Sequence, residues 1–554
     1  MKRRAFVAQA ARTLGAVALG QGFAPDAVFG AVASAGEVDI VIRGGTIFDG
    51  LGGGPFEGDV AIAADRIVAI ARRIAERGAE EIDARGLAVA PGFIDIHSHT
   101  DSTVLVDLHA PGKLLQGVTT EIVGVDGGSM GPWTDEQFER QRERWRERSG
   151  IDIDFRDPVG FMRFVRRLGS ATNLFSMVGS GTVRAFVMGE DDRPPTDEEL
   201  ARMVAEVARA LRGGAVGLSS GLEYTPGGFA SLDELVALAR PLAGTGLPYM
   251  THMRNEDDRL LAAIEEAINV GRFAGVPVEI SHLKAQGERN WWKAGPALAT
   301  IERARDDGVD VAFDVYPYVA YRTGLANLFP LWARDGGTAA FQARLQDPAQ
   351  RERLEALVGA KIESLGSWDA VQVTSTALAS HAYARGRRLG SLAGERGVQP
   401  YDLLVEILLS GGGGMVGFGM SEENVARMLA HPLSVVCSDG SALATTGPLA
   451  AGVPHPRNSG TFPRVLGRYV REQRVLPLET AIAKMTSMPA ARVGLLDRGR
   501  LAEGMYADVV VFDPDTIGDR ATFEQPHQYA VGVRDLITNG RAAVRHGSVE
   551  AGSL

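Results

Sequence analysis

Short apolar runs that alternate with helical stretches constrain this chain more than any other feature. Strand-like runs occupy residues 117–123, 215–220, 248–252, 276–282, 309–314 and 434–439, and helical patterns such as residues 197–211 and 259–274 lie between them. A helix after each strand carries the chain back to begin the next strand in the same direction. The repetition therefore predicts an α/β fold, a (β/α)8 TIM-like barrel of parallel strands. Barrels of this kind keep their chemistry at the C-terminal ends of the strands. His97 and His99, which close the apolar run 87–96, fall at such an end, followed by His252, His282 and Asp439. Residues i and i+2 of a strand point to one side, so His97 and His99 present two imidazoles in one direction.

The two ends of the chain have a different texture. Residues 38–42, 59–62 and 66–70 near one end, and 507–512 and 533–540 near the other, read as short strands bounded by turns. They predict a small β-sandwich built from residues 36–90 plus 490–554, flanking a barrel of residues 91–489. The stretch 325–369 is too long for one strand–helix unit and predicts an inserted subdomain. Residues 1–35 do not read as part of the fold. Lys2-Arg3-Arg4 opens an Ala/Gly-rich stretch that ends in small residues, the pattern of a twin-arginine export signal. The expected location is periplasmic or secreted, with a cytoplasmic one as the alternative. Gln21, Pro25 and Asp26 interrupt the apolar part, so no membrane span is expected.

Net charge is −11 and there is no basic stripe, which argues against a nucleic-acid partner. The single cysteine, Cys437, excludes an intrachain disulfide and a cysteine-rich metal site; it sits in an apolar run and reads as a buried small side chain. Any metal must be held by histidine and carboxylate. That donor set suits Zn2+, one or two per chain, with a position open for water. Asp439 either ligates the metal or moves a proton between the attacking water and the leaving group.

Several stretches carry a resemblance. They are residues 91–99, 217–224, 251–256 and 280–284, then Tyr316-Pro317-Tyr318, Ser438-Asp439-Gly440, His455-Pro456-Arg457 and Thr461-Phe462-Pro463-Arg464. Together they resemble the D-aminoacylase (N-acyl-D-amino-acid deacylase) branch of the amidohydrolase superfamily, over residues 38–544. The resemblance implies hydrolysis of the amide of an N-acyl-D-amino acid, a small-molecule substrate. It implies that His252 and His282 hold the main zinc, that His97 and His99 face a second or weaker position, and that Asp439 is the catalytic acid/base. It places Arg457, Lys284, Tyr224 and Tyr316 around the substrate. An arginine forks onto a carboxylate, which makes Arg457 the expected anchor of the α-carboxylate. Oligomeric state, acyl group and side chain stay open.

Two departures from that branch matter. Its usual metal-bridging cysteine is replaced here by Asp126, in the turn Gly124-Val125-Asp126-Gly127. Glu223 is the favoured substitute bridge, Asp126 the second choice and Glu121 the third. The other departure is Arg322, where relatives carry small residues; it suggests a preference for a second carboxylate on the substrate. Rival readings are an amidohydrolase acting on a cyclic amide (dihydroorotase- or hydantoinase-like) or on a D-residue or isoaspartyl dipeptide. Against the cyclic-amide reading, no lysine stands in residues 221–224 to serve as the usual bridging group. A non-catalytic periplasmic binding protein would show a broken ligand set, and none is broken here.

Overall fold

The computed structural model describes residues 38–554, so the export-like start lies outside the described residues. Eight parallel segments build the centre. In chain order they are β1 (Phe93–Asp95), β2 (Val118–Val123), β3 (Asn173–Ser176 and, past Met177, Val178–Gly179), β4 (Leu218–Gly221), β5 (Tyr249–His252), β6 (Val278–Ile280), β7 (Val311–Val315) and β8 (Ser434–Val436). Each pairs in parallel with the next: β1 with β2, β2 with β3 and so on to β7 with β8. Beyond β8 the ladder returns to its start. Ser98 and Gly440 form a parallel bridge, and the Asp439 amide donates to the His97 carbonyl at 2.9 Å. Almost every position in these strands is buried, as expected for parallel strands with side chains on one face and helices on the other.

The chain ends meet in one nine-stranded sheet. Ala88–Pro91 is its seam: it runs parallel to Val38–Ile47 and antiparallel to Val509–Phe512. Alternate side chains from both ends, Ile40, Ile42, Ile62, Val509 and Val511 among them, share one apolar cluster. Ala88–Pro91 leads within one residue into β1, so this sheet sets the angle at which β1 enters the centre.

Between β7 and β8 the chain departs into an antiparallel sheet of Ala320–Gly324, Gly413–Phe418 and Val371–Thr376, with helices Gly337–Gln346, Pro348–Leu365, Leu389–Arg396 and Pro400–Leu409 between its strands. Residues 325–369 lie inside this excursion. Lys361 on the second of those helices donates to Asp257 at 2.6 Å, tying the insertion to the loop after β5. Among the described residues no helix is long and apolar enough to cross a membrane.

Candidate metal centre and active site

The C-terminal ends of the central strands place four histidines and two aspartates around one point. His97 and His99 follow β1, Asp126 follows β2, His252 ends β5, His282 follows β6 and Asp439 follows β8. Asp126 is the hub. Its carboxylate oxygens lie 3.3 Å from His97 Nε2, 3.5 Å from His99 Nε2, 3.6 Å from His282 Nε2 and 3.8 Å from His252 Nδ1. Asp439 adds Oδ1 at 3.1 Å from His99 Nε2 and 3.7 Å from His97 Nε2. Two groups of ligand atoms share Asp126: His97, His99 and Asp439 on one side, His252 and His282 on the other.

Local backbone makes this convergence possible. Asp126, His282 and Asp439 all have positive φ, of 53°, 35° and 49°. Non-glycine residues adopt this conformation at a cost, and such residues gather at functional sites. Surrounding bonds hold them there. The Gly127 amide donates to Ser219 Oγ and that hydroxyl donates to the Gly124 carbonyl, at 3.1 and 2.6 Å. A Cβ on Gly221 would sit 2.0 Å from the Asp126 carbonyl oxygen, so the turn rests directly on β4. The His282 amide donates to Asp314 Oδ1 at 2.6 Å.

The donor set fits a divalent cation. Ligands 2.0–2.2 Å from a common tetrahedral ion stand ~3.4 Å apart, close to the spacings around Asp126. Buried polar atoms are normally hydrogen-bonded. Among the described residues, five of the buried side-chain atoms without a hydrogen bond belong to one place: both His97 nitrogens, His252 Nε2, Asp126 Oδ1 and Asp314 Oδ2. Electrostatics agree. Burial opposes charge on His97, yet Asp126 and Asp314 more than offset it and raise its pKa well above the usual histidine value. On His252 burial is outweighed by Glu256, Asp126 and Glu223, which push it up to about 10. The carboxylates demand positive charge, which a cation supplies in place of protons.

Of the carboxylates weighed from the sequence, Asp126 alone comes within 4 Å of all four histidines. Glu223 reaches only His252, at 3.5 Å. Glu121 is committed elsewhere, accepting from Ser98, Thr100 and Thr172 and pairing with Lys113.

The centre opens into a cavity of about 400 Å³ lined by Tyr224, Lys284, Arg322, Asp439 and Arg457, among others. Arg457 Nη1 lies 2.7 Å from Asp439 Oδ2. Burial disfavours the Asp439 carboxylate, but Arg457 and His99 overcome it and hold its carboxyl well below the usual range. Tyr224 packs against His252 with the rings tilted and 4.7 Å between their centres, and burial pushes its hydroxyl well above the ordinary tyrosine value. Tyr316 lies behind the wall, its ring beneath the Arg457 guanidinium at 4.9 Å. Lys284 Nζ is held between Glu256 Oε1 and His282 Nδ1, at 2.6 Å from each.

Glu256, Asp314 and His455 were not singled out from the sequence. Glu256 fixes His282 Nδ1 at 2.9 Å, Asp314 faces His97 Nδ1 at 3.6 Å, and His455 Nδ1 accepts the Arg457 amide at 3.0 Å. Asp314 had a signal: a charged residue inside the apolar run 309–314. Cys437, buried as expected, donates Sγ–H to Asp314 Oδ1 at 2.9 Å.

An amidohydrolase family model matches residues 80–544. A D-aminoacylase of Alcaligenes xylosoxydans xylosoxydans is 36% identical over 91% of this chain and 93% of its own length. An N-acyl-D-glutamate deacylase of the same organism is also 36% identical, again over 91% and 93%. The crystal structure of an N-acyl-D-glutamate deacylase from Bordetella bronchiseptica, complexed with zinc and a phosphonate mimic of the tetrahedral intermediate, matches with a TM-score of 0.77. Its identity is 34%, over 92% of this chain and 97% of that one.

Proposed function

This chain belongs to the amidohydrolase family, with relatives that are D-aminoacylases, and on that premise we propose that it is a zinc-dependent N-acyl-D-amino-acid deacylase. It hydrolyses a linear amide and releases a carboxylate and a free D-amino acid. The observation that carries the reading is the set of unpartnered buried donors around Asp126, facing a cavity whose wall holds the Asp439–Arg457 pair. The run of parallel pairings from β1 to β8, with its Ser98–Gly440 return, supports a (β/α)8 barrel. The shared nine-stranded sheet supports the small β-domain built from both chain ends.

His97, His99, Asp126, His252 and His282 hold the metal. When bound, zinc supplies a Lewis acid that polarises the acyl carbonyl and acidifies water. The chain does the rest. Asp439, kept ionised by Arg457 and His99, accepts a proton from the attacking water at its carboxylate and returns it to the departing amine nitrogen. Arg457 orients the α-carboxylate, and Tyr224, a neutral donor beside His252, faces the acyl group. Glu256 accepts from Lys284 and lies 2.9 Å from His282 Nδ1, which positions both.

The test is zinc analysis and a hydrolysis screen on one purified sample, with N-acetyl-D- and N-acetyl-L-amino acids, hydantoins, dihydroorotate and D-residue dipeptides. Bound zinc with D-selective deacylation is the expected result. Turnover confined to cyclic amides or dipeptides would move the substrate to the rival readings. We further propose twin-arginine export to the periplasm, supported by Lys2-Arg3-Arg4 and checked by fractionation of cells carrying Arg3→Lys/Arg4→Lys.

A further inference from the structure

Asp314 has no task in the deacylation scheme, yet it touches both halves of the metal centre. It is the last residue but one of β7 and is fully buried. Its strand pairs with β6, which leads to His282, and with β8, which leads to Asp439. One carboxylate oxygen, Oδ1, accepts the His282 amide at 2.6 Å and the Cys437 thiol at 2.9 Å. The Asp314 carbonyl accepts the Leu283 amide at 2.9 Å. One residue thus holds both amides of the turn in which His282 keeps its φ of 35°. The other oxygen, Oδ2, makes no hydrogen bond and faces His97 Nδ1 at 3.6 Å, a nitrogen that is also buried and without a hydrogen bond. Among the described residues His97 Nδ1 meets no other carboxylate within 4 Å, whereas His97 Nε2 meets Asp126 and Asp439.

A neutral imidazole carries its proton on one nitrogen and offers a lone pair on the other, and the partner of one nitrogen sets the state of both. An ionised carboxylate accepts and cannot donate. Oδ2 therefore favours the proton on His97 Nδ1, which leaves the Nε2 lone pair turned toward Asp126 and Asp439. We propose that Asp314 is a positioning residue that ties the two halves of the metal centre together. Through Oδ2 it fixes His97 with Nε2 toward the cation, and through Oδ1 it holds the turn that presents His282. The Cys437 thiol, a weak donor, holds Oδ1 in that role. The inference concerns the metal centre and not the amide that is hydrolysed, so its test needs no substrate.

The test is the Zn2+ affinity of the metal-free protein, measured by competition with a chromophoric chelator, with thermal melts of the same samples as the check on folding. Asp314→Asn keeps the shape and an acceptor for the His282 amide but turns an NH2 group toward His97 Nδ1. That nitrogen must then accept, which drives the proton onto Nε2 and closes the metal-facing side. Affinity should fall by about 10- to 100-fold at the position that uses His97. In a His97→Ala background the same substitution should cost nothing further, because the two act as one unit. The visible spectrum of the Co2+-loaded protein should change with Asp314→Asn in the same way, only while His97 is present. Asp314→Ala also frees the His282 turn, so part of its loss should persist in the His97→Ala background. A crystal structure of the zinc-loaded wild-type protein, which depends on no variant, should show His97 bound through Nε2 with Nδ1 on Asp314. Unchanged affinity in folded Asp314→Asn, a loss that survives undiminished without His97, or His97 bound through Nδ1 would overturn the proposal.

Discussion

Two buried polar clusters lie side by side in this protein, and they are built on opposite terms. Beneath the metal centre, Lys113 Nζ lies 2.6 Å from Asp95, 2.8 Å from Ser438 Oγ, 3.0 Å from the Gly440 carbonyl, 3.2 Å from Ser98 Oγ and 3.3 Å from Glu121. Ser438 returns its amide to Asp95, and Ser98, Thr100 and Thr172 donate to Glu121. None of these side chains leaves a buried polar atom unpartnered. The cluster above, around His97 and Asp126, leaves five. A closed network locks β1 and the segment after β8 together; an open one stores demand for a cation. The difference separates structural from functional polarity: what matters is whether the groups satisfy one another.

The largest expected effect belongs to the open cluster. Asp439→Asn should lower turnover by roughly 10³-fold or more while zinc stays bound, because it removes the proton acceptor and keeps the shape. Near-normal turnover would break the assignment. Next comes Asp126→Ala, which should weaken zinc binding by at least about 100-fold, the upper end of the range for outer-shell losses. Retained zinc on dialysis against a chelator series would show that the hub is not Asp126. Lys113→Met tests the closed cluster. It strands two carboxylates and should cost about 3–5 kcal/mol of stability in denaturant melts, with zinc per folded chain unchanged. Metal loss at equal folding would erase the distinction between the clusters.

Glu279 sharpens the comparison, since its Oε1 is also unpartnered yet lies outside the metal centre. Burial pushes its carboxyl up to about 8 although Arg492 Nε donates to it at 2.7 Å. An unpartnered acceptor of that kind is resolved by a proton rather than a metal. Because the folded value is raised, its contribution to stability is complete below the ordinary carboxylate range and is lost as pH rises through about 8. Glu279→Gln should flatten that part of the stability–pH curve, change stability at pH 6 by within about 1 kcal/mol, and leave zinc content alone. An unchanged slope would show that Glu279 does not carry the proton.

Much of the site was legible before any coordinates. His97, His99, His252, His282 and Asp439 announce themselves because strand ends are local: an apolar run stops and a polar donor follows. Arg322 was legible as a charge where small residues are usual. The ranking of carboxylates was not. Glu223 stands beside a strand end as plausibly as Asp126, and only the turn of residues 124–127, resting on Gly221, carries Asp126 between both histidine pairs. Tyr316 looked like a wall residue and lies behind Arg457 instead, because its position depends on how the insertion leaves β7. Glu256 and Asp314 act through contacts across strands, which no single stretch of sequence displays.

By itself, then, the sequence determined the periodic alternation of strand and helix, the donors at strand ends and the pairing of both chain ends in β-structure, because each depends on patterns within about ten residues. Only the tertiary structure decided which carboxylate lies between both histidine pairs and which polar atoms among the described residues remain open. Those are properties of distances between residues remote in the chain, 29 positions apart for His97 and Asp126 and 342 for Ser98 and Gly440, and they exist only once the parallel strands have brought those residues together.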